Sequence, residues 1–294
     1  MKEIILKTPA KINLMLDVAG KRRDGYHIIK TVFQTVSIFD YITITASDCG
    51  KIFGISCNKK DIPCDERNIV YKAGKALEKA TGKSFMDDVH FSIEKNIPSQ
   101  AGMGGGSSDA AAVMYGLNYL FELGLTKKQL CEIGVSVGAD VPFFFEGGTA
   151  FAEGIGEILT PIKNKFEKID LVIAKPEKGI STAEAYKAVD NLENPILHPR
   201  YEKLVAALQY ADINGVASNC RNIFTKAADI FEVNNIIADF AMYGALGAEM
   251  TGSGSAVFGI FENEMKAREC LKKMKNNYDF VQVCEAVDCK IEKI

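Results

Sequence analysis

The chain has 294 residues, of which 47% are hydrophobic, and its 35 basic and 38 acidic residues leave a net charge of -3. This length predicts two closely packed lobes, because single cores stop growing near about 250–300 residues. The balanced charge gives no global basis for binding nucleic acid or an anionic membrane, and the sequence lacks both the apolar core of a signal peptide and an apolar run of membrane-spanning length. We therefore expect a cytoplasmic protein in which phosphate binding is local.

The cysteines and histidines form no pattern typical of a metal or redox site. Eight cysteines are spread along the chain, none in a Cys-x-x-Cys pair, and the three histidines lie far apart in sequence. Zinc sites and redox motifs depend on close spacing of such residues. We therefore predict free thiols, Cys49 included, and no metal site built by the protein alone.

The first predicted element is a strand over residues 10–18, in which Ile12 and alternate residues after it are apolar. Since successive side chains of a strand point to opposite faces, Lys11 and Asn13 share the other face of a strand that should be half-buried. Extended segments over residues 28–39 and 41–45 follow, joined by a turn at Phe39 and Asp40. Together these segments predict an antiparallel sheet.

Helices and one strand follow. Apolar residues at helical spacing predict a helix over residues 68–80 that is closed by Gly82, and residues 89–93 have the pattern of a strand. An alanine-rich helix is predicted over residues 108–120. Thr126, with a glutamine three residues later, has the form of a capping box that begins another helix. We expect both of these helices to pack on the sheet.

A second lobe is expected after residue 155, so the predicted domains are residues 1–155 and 156–294. A strand over residues 171–175 leads into a helix whose capping box joins Ser181 and Glu184. Helical sequence then alternates with two late strands, over residues 255–261 and 281–287. This order of elements is typical of an α+β lobe.

The segment from Pro98 to Ser108 has four glycines within five residues, directly before the alanine-rich helix. Glycine lets backbone amides approach an anion, and a helix start favours phosphate oxygens through its free N–H groups and its dipole. A flexible linker is the alternative, but linkers rarely run into an amphipathic helix. The segment lacks the Gly-Lys-Ser/Thr ending of a Walker A loop and the spacing of a dinucleotide-binding motif.

We therefore predict that this segment binds nucleotide phosphates, with the two serine hydroxyls as ligands of phosphate or of magnesium. The predicted residues are Pro98, Ser99, Gln100, Ala101, Gly102, Met103, Gly104, Gly105, Gly106, Ser107 and Ser108.

At residues 98–111 the pattern Pro-x-x-x-Gly-Met-Gly-Gly-Gly-Ser-Ser-Asp-Ala-Ala resembles the central motif of the GHMP kinases, the galactokinase, homoserine, mevalonate and phosphomevalonate kinase superfamily. Residues 9–14 resemble the first motif of that family, and residues 250–255 resemble its third. The resemblance implies an α+β fold of two lobes, the N-terminal one similar to domain 2 of ribosomal protein S5. It also implies that ATP binds as its magnesium complex in the cleft between the lobes.

The resemblance gives roles to further side chains. Asp140 would accept the proton of a substrate hydroxyl as it attacks the γ-phosphate, and Lys11 would keep that carboxylate ionised. The structural alternatives are a helix cap at Asp140 and a solvated edge charge at Lys11. Asn13 would hydrogen-bond the substrate near the accepting hydroxyl. Lys95 and Asn68 match family positions near the adenine. The third motif is a glycine-rich turn near the phosphates, and it is predicted to supply the remaining substrate-binding residues, Thr251, Gly252, Ser253 and Gly254.

Residues 23–27 and 138–144 narrow the resemblance to a GHMP kinase whose small-molecule substrate carries a diphosphocytidyl group, in the non-mevalonate route to isoprenoids. A tyrosine ring can stack on a pyrimidine, and a histidine can donate to and accept from a base edge. The resemblance implies that Tyr26 and His27 hold the cytosine of the substrate. An exposed turn with an incidental aromatic residue is the structural alternative.

Two other functions stay open, namely another GHMP kinase acting on a sugar or an amino-acid alcohol, and a catalytically silent nucleotide-binding regulator of the same fold. Tyr26 and His27 argue against the first, and intact Lys11 and Asp140 argue against the second. We expect a monomer or a homodimer whose partner is its small-molecule substrate.

Overall fold

The structure is a computed structural model that describes residues 1–47, 50–177, 179–192 and 198–294, so Cys49 lies outside it. The strands within these ranges are β1 (Lys2–Lys21), β2 (His27–Ala46), β3 (Gly54–Cys57), β4 (Val89–Glu94), β5 (Thr149–Glu153), β6 (Ile158–Pro161), β7 (Ile169–Lys175), β8 (Arg221–Asn222), β9 (Gly247–Met250), β10 (Val257–Ile260), β11 (Phe280–Ala286) and β12 (Glu292–Lys293). The helices are α1 (Ile69–Thr81), α2 (Gly105–Leu120), α3 (Lys127–Val135), α4 (Val141–Glu146), α5 (Thr182–Asp190), α6 (Tyr201–Tyr210), α7 (Ile213–Asn219), α8 (Ile223–Ala228), α9 (Phe231–Met242) and α10 (Glu264–Met274).

The described strands all belong to one sheet, whose main path runs β12-β1-β2-β11-β7-β10-β9. Strands β1 and β2 have 20 residues each and pair antiparallel from Lys2 opposite Ala46 to Lys21 opposite His27. The other edge of β2 pairs in turn with β5, β11 and β4. Because β11 comes from the second half of the chain, β2 joins both halves in one sheet. The domain division at residue 155 stays a prediction.

The antiparallel sheet is confirmed, but the turn predicted at Phe39 and Asp40 is wrong. Strand β2 runs straight through both residues, which pair with Pro9 and Thr8 of β1. The carboxylate of Asp40 is fully buried and is bound by the ammonium of Lys95 and by two backbone N–H groups. These partners replace water, so an aspartate that favours turns is accommodated inside the strand.

The prediction that β1 is half-buried is also wrong, because only 3% of Lys11 and 2% of Asn13 are exposed. Helix α2 packs on one face of β1, while Ile12 and Leu14 on the other face contact a core that includes Leu204 of α6. Both faces are therefore covered, and the polar side chains of β1 lie inside the protein.

The predicted helix ends are confirmed where capping residues were visible in the sequence. Asn68 caps α1, which ends at Gly82 in the left-handed conformation, and the capping boxes at Thr126 and Ser181 begin α3 and α5. Helix α2 begins at Gly105, three residues before the predicted start. The last glycines of the segment 98–108 are therefore the first turn of a helix.

Three apolar clusters form the core. The first packs α1, α2 and α4 on the first half of the sheet, and the third packs α5, α9 and α10 on the second half. The cluster between them contains Ala101 and Met103 of the glycine-rich segment, together with Ala256 beside the third motif. The two segments predicted to surround the phosphates are thus anchored where the two halves meet. No helix in the described ranges is long and apolar enough to cross a membrane.

Candidate active site

The glycine-rich segment lines a cavity of about 470 Å³, opposite residues 61–63 and 67–69. At the start of α2, Gly104 is the N-cap and the N–H groups of Gly105, Gly106 and Ser107 have no hydrogen-bond partner in the described part of the chain. The first N–H groups of a helix have no acceptor within the helix. Such free N–H groups, together with the positive end of the helix dipole, are suited to binding an anion.

Two glycines allow this segment to approach the rest of the site. Gly102 and Gly104 both have φ +71°, a conformation that other residues adopt at a cost. A Cβ atom on Gly102 would lie 2.1 Å from the carbonyl oxygen of Thr251, and one on Gly104 would lie 2.9 Å from the ring of Phe144. Only glycine at these positions lets the segment contact both the third motif and Lys11.

The two serines after the glycines differ in their surroundings. Ser107 lines the cavity. Ser108 is fully buried, its hydroxyl donates to the carbonyl of Pro9 at 2.6 Å, and its N–H donates to the carbonyl of Gly104. The predicted ligand role therefore does not fit Ser108, because one further step along the helix turns its side chain toward β1.

Lys95 and Asn68 line the same cavity, but their polar groups have structural partners. The Lys95 ammonium is bound by Asp40 and lies 2.7 Å from Asp109. Burial lowers the pKa of Lys95 but the two carboxylates raise it more, and burial raises the pKa of Asp109 well above its usual value. The Asn68 amide accepts from Val70 N and donates to a backbone carbonyl. Their contact with adenine stays a prediction.

Lys11 lies beside Asp140, with 3.3 Å between its Nζ and Asp140 Oδ2. The same ammonium donates to Asn13 Oδ1 at 2.8 Å and to the carbonyl of Gly102 at 2.9 Å. Its side chain is only 4% exposed, so Lys11 is not a solvated edge charge. Asp140 precedes α4 but makes no side-chain capping bond, and it is 29% exposed toward the cleft. A structural cap therefore does not explain Asp140.

A buried polar network connects the first motif with the third. Asn13 donates through Nδ2 to Thr31 at 2.8 Å, and its backbone N–H donates to Thr251 Oγ1 at 2.9 Å. Thr251 is fully buried, so its predicted contact with substrate does not fit the structure. The following turn, Gly252 to Gly254, does line the cleft, and Asn222 holds it by donating to the carbonyl of Gly252. Sequence reasoning missed Asn222 because no local pattern marks it.

A second cavity, of about 890 Å³, adjoins the first. Lys11, Asn13 and Asp140 lie at its inner end, and the turn between β1 and β2 lies at its mouth. The two cavities share three residues of the glycine-rich segment, Gln100, Gly102 and Gly104. Ligands in the two cavities would therefore meet beside Lys11 and Asp140.

At the mouth of the larger cavity, Tyr26 is 61% exposed and the ring of His27 stacks on Tyr186, with 4.5 Å between ring centroids and 17° between planes. His27 Nε2 lies 2.7 Å from Asp190 Oδ1. Burial raises the pKa of Tyr186 to about 12, so its hydroxyl stays protonated. Sequence reasoning missed Tyr186 and Asp190. Their spacing of four residues within α5 was the available signal, because it places them on one helix face.

Comparisons with known proteins identify the family of the chain. Residues 68–148 match the family model "GHMP kinases N terminal domain", and residues 230–279 match "GHMP kinases C terminal". Two curated relatives, from Clostridium botulinum and Clostridium kluyveri, are 40% and 41% identical over 275 and 289 residues. The chain therefore belongs to the GHMP kinases, a family of phosphotransferases.

Both relatives carry one name, 4-diphosphocytidyl-2-C-methyl-D-erythritol kinase. The first alignment covers 93% of this chain and 96% of the relative, and the second covers 97% and 100%. A crystal structure of 4-(cytidine 5'-diphospho)-2C-methyl-D-erythritol kinase superimposes with a TM-score of 0.77 at 29% identity, covering 97% of this chain and 98% of that one. Homoserine kinase from Cytophaga hutchinsonii shares the fold, with a TM-score of 0.79 at 18% identity and coverage of 100% and 98%.

Proposed function

We propose that this chain transfers the γ-phosphate of ATP to the 2-hydroxyl of 4-diphosphocytidyl-2-C-methyl-D-erythritol. The observation that carries the proposal is the pair of adjoining cavities with Lys11 and Asp140 at their junction. The name shared by the relatives supports this acceptor, since they align along nearly the whole chain. Such a kinase serves non-mevalonate isoprenoid synthesis.

The smaller cavity suits ATP and the larger one suits the acceptor. The free N–H groups at the start of α2 would bind the β- and γ-phosphates, which places the γ-phosphate near Gly102 and Gly104. Tyr26 would stack on the cytosine at the other end of the larger cavity. The acceptor hydroxyl would then lie near Asp140.

In the reaction the substrate oxygen forms a bond to the γ-phosphorus as the bond to ADP breaks, and Asp140 takes the hydroxyl proton. The Lys11 ammonium offsets the negative charge that develops between the two ligands. Asn13 and the carbonyl of Gly102 fix this ammonium, so Lys11 acts without reorganising.

We propose that magnesium enters as the complex with ATP. In the described residues, no group of three histidine, cysteine, aspartate or glutamate side chains could hold a metal ion. Ser107 lines the cavity proposed for the phosphates, which fits an ion bound mainly by phosphate and water. When bound, the ion would neutralise phosphate charge.

Incubation of the purified chain with magnesium, ATP and the diphosphocytidyl substrate tests the proposal. We expect ADP release that depends on the acceptor, and phosphorus NMR should place the new phosphate on the 2-hydroxyl. Homoserine, mevalonate and galactose serve as competing acceptors. Faster turnover of one of these would assign the chain to another GHMP kinase, and no turnover with any acceptor would favour a silent nucleotide-binding regulator.

We further propose that the enzyme acts in the cytoplasm as a monomer or a homodimer and has no nucleic-acid partner. The net charge of -3 supports the last point. Sedimentation of the purified chain with and without ligands would determine its oligomeric state.

A further inference from the structure

Asn222 joins the third motif to the start of α8. Its Nδ2 donates to the carbonyls of Met250 and Gly252 at 2.7 and 2.8 Å, and its Oδ1 accepts from Phe224 N at 2.9 Å. The orientation of the amide is fixed, because a backbone carbonyl only accepts and a backbone N–H only donates. Asn222 is 5% exposed and lines neither cavity, so we expect it to contact neither proposed ligand directly.

The two carbonyls that Asn222 binds lie on either side of Thr251 in the chain. Thr251 Oγ1 accepts from Asn13 N at 2.9 Å. It also lies 3.3 Å from Asn13 Oδ1 and 3.3 Å from the carbonyl oxygen of Gly102, and its single proton is donated to one of these acceptors at a time. The bridge made by Asn222 therefore fixes the residue whose hydroxyl connects the first motif with the glycine-rich segment.

The same two acceptors hold the ammonium of Lys11. Its Nζ donates to Asn13 Oδ1 at 2.8 Å and to the carbonyl of Gly102 at 2.9 Å. The third motif also packs directly on this carbonyl, since a Cβ atom on Gly252 would lie 2.6 Å from the Gly102 oxygen. A displacement of the turn would therefore move an acceptor of the Lys11 ammonium, which lies 3.3 Å from Asp140.

We propose that Asn222 is a positioning residue for phosphate transfer, which determines the position of the Lys11 ammonium through Thr251 and Gly102. The inference rests on the proposed function, although no step of that reaction involves Asn222 directly. Such placement matters for the rate, because a displacement of about 1 Å caused by a distant substitution can slow a reaction about 100-fold.

Two substitutions at Asn222 retain the helix cap but remove the bridge. In Asn222→Asp a carboxylate still accepts from Phe224 N, but it repels both carbonyls of the turn. In Asn222→Ser a neutral hydroxyl caps α8 but is too short to reach both carbonyls. We expect both variants to lower the single-turnover rate about 10- to 100-fold at saturating ligands. The fraction of active sites should stay close to that of the wild type.

Asn263→Asp is the matched control. Asn263 caps α10 through Oδ1, which accepts from Lys266 N at 3.1 Å, and its Nδ2 donates to no group in the described part of the chain. The substitution therefore changes a cap without removing a bridge, and we expect the rate of the wild type.

A purely structural role of Asn222 gives a different result. It would lower the melting temperature and the fraction of active sites and leave the rate per active site unchanged. That outcome, or a loss of rate confined to the charged variant Asn222→Asp, would overturn the inference.

Substitutions of Thr251 test the intermediate contact, and they keep the inference testable if the Asn222 variants do not fold. Thr251→Val removes the hydroxyl and should slow turnover by a similar factor, whereas Thr251→Ser retains the hydroxyl and should keep most of the rate. Because both residues act on one ammonium, the double variant Asn222→Ser, Thr251→Val should lose less than the product of the single losses. A fully multiplicative loss, or equal rates for Thr251→Val and the wild type, would overturn the inference.

Nitrogen NMR of the Lys11 ammonium gives a readout that needs no substrate, and Lys11→Arg assigns its signal. We expect the signal to shift in Asn222→Ser and in Thr251→Val and to keep its position in Asn263→Asp. An unmoved signal in Asn222→Ser would overturn the inference even if turnover fell. Shifted signals in a chain whose wild type phosphorylates none of the acceptors would leave the contact with Lys11 established and count against the proposed function alone.

Discussion

The two cavities of the cleft are built in different ways. The cavity proposed for ATP, here called the nucleotide cavity, is lined mainly by one continuous segment, residues 97–107, whose backbone N–H groups are the proposed binding groups. The cavity proposed for the acceptor, here called the acceptor cavity, takes its side chains from β1, from the turn after it, from the start of α4 and from α5. A backbone site can be inferred from local spacing. A site made of distant side chains depends on the packing of the whole chain.

The largest effect is expected where the two cavities meet. Asp140→Asn should lower kcat by about 10²–10⁴-fold, because it removes the proton acceptor from the junction. ATP affinity should change little, since Asp140 does not line the nucleotide cavity. Single-turnover kinetics and ATP titration measure the two quantities separately. Exposed Asp279→Asn is the control, and near wild-type turnover in Asp140→Asn would remove Asp140 from the mechanism.

Lys95→Met tests whether the stability of the protein depends on the charged side chains that are buried beside the nucleotide cavity. The substitution leaves Asp40 and Asp109 buried without their shared cation. Removing one partner of a buried ion pair costs about 3–5 kcal/mol. We expect this loss in the free energy of unfolding, measured by urea denaturation. Lys75→Met, which breaks a more exposed pair with Glu78, should cost far less; equal losses would contradict the prediction.

Gly102→Ala tests the contact between the glycine-rich segment and the third motif. The added Cβ would lie 2.1 Å from the Thr251 carbonyl, so we expect about 2–4 kcal/mol of destabilisation from crowding and from the positive φ. Gly124→Ala is a matched control, because Gly124 has φ +70° and open space around it. Similar melting temperatures for the two variants would show that strain alone, and not close approach, requires Gly102.

Tyr26→Ala should affect the acceptor cavity only. Stacking on a base contributes about 1–3 kcal/mol, so we expect KM for the diphosphocytidyl substrate to rise about 5- to 150-fold while KM for ATP is unchanged. Tyr26→Phe retains the ring and should behave like the wild type. A rise in both KM values for Tyr26→Ala would contradict the separation of the two cavities.

The smallest effect concerns pH. Because burial raises the pKa of Asp109 above 3.8 in the folded state, the unfolded chain releases this proton first as pH rises. The contribution of Asp109 to stability therefore falls with rising pH above that value. Asp109→Asn removes this dependence, so the variant should gain stability relative to the wild type between pH 4 and pH 7 in urea titrations. A loss of stability in Asp109→Asn relative to the wild type over this range would contradict a raised pKa of Asp109 in the folded state.

The sequence was most informative where a function resides in neighbouring residues. Local spacing alone predicted the cap at Asn68, the capping boxes at Thr126 and Ser181, and the glycine-rich segment. The helices that begin at these positions are confirmed. Ser108 was misjudged because helix rotation decides which of two adjacent serines faces the cavity. Asp190 was missed because its partner His27 is 163 positions away. Local patterns could be interpreted from the sequence, whereas contacts between residues that are distant in sequence became visible only in the folded structure.

The shared wall of the two cavities has a pharmacological consequence. Since Gln100, Gly102 and Gly104 border both spaces, one molecule could occupy both by joining an adenosine to a cytidine through a phosphate-like linker past Lys11. Linking turns the second binding event into an intramolecular one, which can raise affinity by about 10²–10⁴-fold over either half when the linker matches the span. The width of the passage at these three residues then becomes the design parameter for a bisubstrate inhibitor.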